Sequence, residues 1–200
     1  IFPGVKAPCA VVGIAEKGHM NIEYKVKSPG GHASAPAPHT PVGVLSRACC
    51  KVENKPFPRH LTKPAAEMFD TLGRHSNFLY KMIFANLWCF SGLLDLICKA
   101  SGGEINALMR TTVAFTQMEG SSAPNVIPPE ARMVSNIRLN PEDTVDSAKA
   151  YIEKVIGDEN VEVTVITGDN PSRVSVTDCD SWDKLACAIA STWKGSIVTP

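Results

Sequence analysis

The chain reads as an α+β protein, a ferredoxin-like β-α-β-β-α-β sandwich: a four-stranded antiparallel sheet with two helices on one face and a helical insertion after the first helix. Three observations predict it. Residues 19–28 alternate apolar and polar side chains, as a half-buried strand does. Segments 41–53 and 144–157 carry apolar residues at helical spacing between cap residues. The elements then follow in the order strand, helix, insertion, strand, strand, helix, strand.

Each element has its own signal. In the first strand Met20, Ile22, Tyr24 and Val26 point one way, and Asn21, Glu23, Lys25 and Lys27 the other. A loop rich in glycine, proline and alanine follows over 29–39. Thr40 is an N-cap with Pro41 at the first helical position, and Val42, Leu45, Cys49 and Val52 form the stripe of the helix 41–53. Pro56 and Pro58 end it. Residues 63–100 read as two or three helices, one with the stripe Ala65, Met68, Phe69 and Leu72. Phe78 to Phe90 is apolar on nearly all sides, which predicts burial or a partner. Strand character returns over 105–118 and again over 130–139. Thr144 opens a helix with the stripe Val145, Ala148, Ile152 and Val155, stopped at Gly157. Val161, Val163 and Val165 mark the fourth strand.

Both ends fall outside this unit. Residues 5–14 suit a short strand. Residues 181–193 suit a helix with Trp182, Leu185, Ile189 and Trp193 turned inward, and Ile197-Val198 begins another strand. The start, Ile1-Phe2-Pro3-Gly4, reads as a chain entered midway.

Composition excludes some function classes. Twenty basic and twenty acidic residues cancel, which gives no support to nucleic-acid or anionic-membrane binding. The seven cysteines include no Cys-x-x-Cys pair, so neither a disulfide framework nor a zinc knot is expected. Most lie among apolar neighbours, and a reducing compartment such as the cytoplasm fits them. Lys81, Asn86 and Asp95 interrupt the apolar run 78–98, so no membrane span is expected.

Two segments offer chemistry. Gly30-Gly31-His32-Ala33-Ser34-Ala35-Pro36 presents a histidine on flexible backbone at a strand end, where imidazole can stabilise an oxyanion or move a proton. His39 supplies no convincing metal pair, because no third ligand is near. Asn125 lies in the proline-rich loop before the third strand, and Arg138 lies near that strand's far end. Asparagine can bond an amide, and arginine can hold a carboxylate through two parallel bonds. His19, His60 and His75 fall in polar or proline-rich stretches and are assigned to the surface.

Four segments taken in order carry a resemblance. They are Gly30 to Pro41, Leu108-Met109-Arg110-Thr111-Thr112, Asn125-Val126-Ile127-Pro128-Pro129-Glu130-Ala131 and Asn136-Ile137-Arg138. Together they resemble the lid, or dimerisation, domain of the zinc-dependent aminoacylase and carboxypeptidase family. The insertion, with Phe84-Ala85-Asn86-Leu87-Trp88, looks most like the carboxypeptidase S branch, which includes the N-fatty-acyl-amino-acid hydrolases.

The resemblance implies a two-domain parent whose catalytic domain holds two zinc ions, with a glutamate that activates the bridging water. The family's His-x-Asp and Glu-Glu zinc motifs are absent from these 200 residues. The resemblance therefore places the metal ligands outside this chain, and the fragment alone is expected to be inactive. It implies residues 1–15 and 171–200 as edges of the catalytic domain, and 16–170 as the lid with the insertion at 55–103. The implied partners are that catalytic domain, a second lid in a homodimer, and a small N-acyl amino acid or peptide whose amide bond is cleaved. His32 would stabilise the oxyanion, and Asn125 and Arg138 would hold the substrate. The alternatives are a ferredoxin-like binding module, for RNA or a small regulator, and a purely structural dimerisation module.

Overall fold

The protein is described from a computed structural model, which describes residues 4–86, 89, 90, 92 and 103–200. It divides into two compact units. One comprises Lys17–Pro58 and Arg110–Pro171. The other comprises Ile1–Glu16, Arg59–Met109 and Ser172–Pro200.

The elements, in chain order, are β1 (Cys9–Val11), β2 (Gly18–Lys27), β3 (Gly31–His32), α1 (Pro41–Asn54), α2 (Lys63–Arg74), α3 (Phe78–Ala85), α4 (Gly103–Met109), β4 (Thr112–Glu119), β5 (Val126–Ile127), β6 (Glu130–Leu139), α5 (Val145–Ile156), β7 (Glu162–Asp169), α6 (Asp180–Thr192) and β8 (Ile197–Thr199).

The first unit is the predicted sandwich. Its sheet has the order β4-β6-β2-β7, with every neighbouring pair antiparallel. Burial alternates along β2: Met20, Ile22, Tyr24 and Val26 are buried while His19, Asn21, Glu23 and Lys25 are half-buried. Helices α1 and α5 cover the apolar face. Leu45, Ala48 and Val52 from α1 join Ala148, Ile152 and Ile156 from α5 above Met20, Ile22, Met133 and Ile137. The Thr40 side chain caps α1 and Pro41 opens it. Thr144 and Ser147 form a reciprocal capping box on α5, and Gly157 ends the helix in the left-handed region. The α1 stripe is turned slightly from the predicted one. Val44 and Ala48 are buried, whereas Val42 and Cys49 sit at its margin.

Tyr24 shows how the core handles a polar group. Its ring is fully buried 5.6 Å from Phe115, and its hydroxyl pairs with Ser135 Oγ at 2.9 Å. Burial pushes the phenol up to about 12. An unfolded tyrosine ionises near 10, so the folded state holds this proton more tightly. The contribution is whole below pH 10 and is lost as pH rises towards 12, on the order of 2–3 kcal/mol. Chemical denaturation from pH 8 to 12 should show that alkaline loss. Tyr24→Phe should flatten it while lowering stability at pH 8, because Ser135 is fully buried and loses its partner.

The second unit holds α2, α3, α4 and α6 with the parallel pair β1-β8. Thr62 caps α2. Phe69 of α2 stacks on Phe84 of α3, with ring centroids 5.4 Å apart. The helices pack closely at Gly73, where a Cβ would lie 2.6 Å from Phe84 Cβ. Leu72 turns the other way and packs with Val5 and Ile197 beneath the β1-β8 pair.

Three expectations need correction in this unit. Residues 103–109 form a helix, not the start of a strand; Glu104, Ala107, Leu108 and Met109 are strong helix formers, and a short apolar run fits either period. Nothing in α6 is buried: Trp182 and Ile189 are half-covered, and Leu185 and Trp193 are exposed. The two short strands beside it offer too little surface to cover a helix of that length. In α3, Tyr80 and Phe84 turn inward but Phe78 is 82% exposed, so the helix is not buried on all sides. The rest of the expected apolar run lies largely outside the described residues, including Leu87, Trp88 and 93–98. No helix among the described residues is long and apolar enough to cross a membrane.

Candidate functional site

The loop after β2 is fastened to the loop before β6. Ser28 N–H donates to Pro129 O at 2.8 Å, and its hydroxyl donates to Pro128 O at 2.9 Å. Gly30 has φ +70°, and a Cβ there would lie 3.2 Å from Ile127 O, so a side chain would meet both strain and a crowded backbone. Beyond it, Gly31 and His32 pair as β3 with Ile127 and Val126 of β5. Ala33 N–H then donates to Asn125 O at 2.9 Å. The ladder brings His32 and Asn125, distant in sequence, to the same exposed rim.

The His32 ring is oriented locally. Ser34 N–H donates to Nδ1 at 3.2 Å, and Ser34 Oγ lies 2.7 Å from the same nitrogen. An Nδ1 that accepts from a backbone amide keeps its lone pair there. In the neutral ring the proton is then on Nε2, and an exposed imidazole presents an N–H donor. That arrangement can donate to a carbonyl oxygen without first changing charge.

Arg138 is elsewhere. It lies opposite His19 and Thr112, near the far end of β6. Glu130 to Arg138 spans eight strand steps, about 26 Å. Within one copy, the sequence-predicted trio is thus one pair and one distant arginine.

The open face of the sheet holds a network that includes His19, which the sequence assigns to plain surface. Asn136 Nδ2 donates to Asn21 Oδ1 at 2.9 Å and lies 3.1 Å from His19 Nε2, and Asn21 Nδ2 donates to Thr167 Oγ1 at 2.9 Å. Further along, Glu23 pairs with Arg132 and, at 3.3 Å, with Lys25. The Arg132 guanidinium holds the Glu23 carboxyl below the usual carboxylate range. The signal was present in the outward positions of β2 and in the Asn-Ile-Arg triplet, whose Asn136 and Arg138 share a face. Lys17, next to this end of the sheet, donates to Arg110 O at 3.1 Å, and burial pulls its ammonium below the usual lysine range.

Tyr24 and Phe115 pack against each other on the helix side, so neither strand aromatic offers a stacking platform on the open face. Among the described residues no three His, Cys, Asp or Glu side chains gather to hold a metal ion.

Residues 14–164 match the family model described as a peptidase dimerisation domain. A carboxypeptidase S-like protein of Dictyostelium discoideum is 34% identical over the whole chain, which covers 38% of that protein. An N-fatty-acyl-amino acid synthase/hydrolase of Xenopus tropicalis is also 34% identical over the whole chain, covering 39% of its length. The chain therefore spans well under half the length of these relatives. Among solved structures, an M20 family metallo-carboxypeptidase from Sulfolobus solfataricus superposes with a TM-score of 0.60 at 15% identity, covering 96% of this chain and 53% of that one. Human carnosine dipeptidase 1 gives 0.56 at 14% identity, covering 99% and 46%. At such identities these likenesses speak to fold alone.

Proposed function

The chain belongs to the peptidase dimerisation-domain family, and from that premise we propose that it is the lid and dimerisation part of a zinc-dependent hydrolase that cleaves the amide bond of N-acyl amino acids or short peptides. The relatives' names support an amide-cleaving parent. The observation that carries the reading is the His32–Asn125 rim, an imidazole with its Nδ1 occupied and an asparagine one ladder step away on fastened backbone.

In this reading His32 Nε2–H donates to the scissile carbonyl oxygen as negative charge builds there. Asn125 bonds the substrate's backbone, and Arg138 clamps its carboxylate. One copy cannot bring both ends to one small substrate across about 26 Å of strand. His32 and Asn125 therefore act on a site whose Arg138 comes from the second copy of a homodimer.

Among the described residues no donor set fits the zinc ions, which would be bound by residues of the parent outside this chain. The parent's catalytic domain would also cover the second unit, with residues 1–15 and 171–200 as its edges. Supporting this, β1-β8 is a parallel pair of a kind that normally belongs to a larger covered sheet. Val11 is 60% exposed, and the apolar residues of α6 lack cover.

The test is hydrolysis by the longer zinc-loaded parent of N-fatty-acyl amino acids, short N-acyl amino acids and dipeptides. Release of free amino acid from at least one class is expected. No release from any of them would contradict the reading. An RNA-binding module has no support from an electroneutral chain whose strand aromatics lie in the core.

A further inference from the structure

Arg138 stands in a cross-strand row at one end of the sheet. His19 of β2 lies opposite it on one side, and Thr112 of β4 on the other. Such neighbours have Cβ atoms about 5 Å apart. Met20, Ile137 and Leu139 beside them in sequence belong to the core under the helices, so His19 and Arg138 share the open face. Arg138 is exposed, and its guanidinium makes no hydrogen bond or ion pair among the described residues. Asp169 of β7 lies opposite His19 on its far side, and no ion pair joins it to either residue among those described.

His19 differs from a plain surface histidine because one of its nitrogens is committed. Asn136 Nδ2 lies 3.1 Å from Nε2, and an amide nitrogen only donates, so Nε2 accepts. The neutral ring then carries its proton on Nδ1. Nothing among the described residues bonds Nδ1. Asn136 is itself fixed: it also donates to Asn21 Oδ1 at 2.9 Å, and Asn21 Nδ2 donates to Thr167 Oγ1 at 2.9 Å. Three strands thus orient one imidazole. An unused N–H donor and an unpaired guanidinium stand side by side.

We infer that His19 is a specificity-determining residue, its Nδ1–H donating to the substrate carboxylate that Arg138 clamps, with Asn136 and Asn21 positioning the ring; the inference rests on the substrate reading above. A carboxylate offers about four lone-pair sites. Arg138 takes two of them through parallel bonds, which leaves room for the imidazole. A carboxamide of the same shape has one oxygen, and its NH2 would meet the Nδ1–H with another donor. A site built to donate rejects such a mismatch, because its own donor is left unpaired. His19 shares its end of the sheet with Arg138, so it comes from the copy that supplies Arg138.

The test uses the zinc-loaded parent and compares an N-acyl amino acid that it hydrolyses with the C-terminal carboxamide of the same compound, read by turnover or by competition. His19→Ala should raise KM for the carboxylate about tenfold, the ordinary size of one hydrogen bond to a charged group, with kcat little changed. Affinity for the carboxamide should hold, so the preference between the two shrinks by the same factor. His19→Asn places an N–H near the Nδ1 position and should recover most of the loss. His19→Gln places it near Nε2 and should not. Asn136→Ala should show a smaller loss of the same kind. Zinc content and circular dichroism check the fold of each variant. An unchanged preference in His19→Ala, or equal losses on the two compounds, would overturn the inference. So would better recovery by His19→Gln than by His19→Asn. Arg138→Ala separates the two levels. Loss of the preference there and not in His19→Ala would leave the carboxylate reading standing, and loss in neither would overturn that reading too.

Discussion

His32→Ala in the zinc-loaded parent is expected to lower kcat by about 10²–10³, the usual cost of one lost oxyanion donor. Ser34 N–H occupies Nδ1, which leaves Nε2 as the proton-bearing nitrogen. A neutral donor aimed at a carbonyl contributes most when that oxygen becomes an anion, so kcat should suffer more than KM. The zinc content of the variant should match wild type, because the ring shares no metal cluster among the described residues. His32→Gln keeps an N–H donor and should recover part of the loss. Unchanged turnover, or a fall that follows lost zinc, would remove His32 from the chemistry. Ser34→Ala is the milder companion, since the backbone N–H that sets the tautomer remains.

Why the loop holds its shape also bears on that result. Short ladders are weak alone. Here the two-residue pairing of β3 with β5 is continued on one side by the bonds of Ser28 to Pro128 and Pro129, and on the other by Ala33 to Asn125. The histidine is held on both sides of its own backbone, although its side chain is exposed.

Much of the sandwich was legible because its elements are half-buried, and half-burial writes a period into sequence. β6 runs over the predicted 130–139, and α5 lies between the predicted Thr144 and Gly157 caps. The α1 stripe is rotated slightly from the one the sequence predicts, because Val44 and Ala48 are as apolar as Val42 and Cys49. The stretch 105–109 predicts a strand and forms a helix because alternation of Leu108 and Arg110 against Met109 and Thr111 imitates a strand where a short helix runs into one. The α6 stripe was recognisable as a pattern, but a pattern does not say which surface will cover it.

The candidate residues were visible in the sequence, and their arrangement was not. His32, Asn125 and Arg138 stood out by residue type and neighbours. Their grouping into a pair and a remote arginine depends on a two-residue ladder and on strand register, and neither leaves a periodic trace. The His19–Asn136–Asn21–Thr167 network was missed for a related reason. Its members come from three strands, and each looks like ordinary outward-facing polarity until the register aligns them.

The central claim is that His32 and Arg138 of one substrate site come from different copies, and mixed dimers of the parent test it most directly. His32→Ala and Arg138→Ala are each expected to be nearly inactive as homodimers on a substrate with a free carboxylate. When the two are unfolded together, refolded and supplied with zinc, half of the dimers carry one copy of each. In such a dimer one site has lost both groups and the other has lost neither. Activity should therefore return to about a quarter of wild type, with the KM of wild type. Mixtures that stay as inactive as the separate variants, while subunit exchange is verified, would show that both groups serve a site within one copy and would contradict the account.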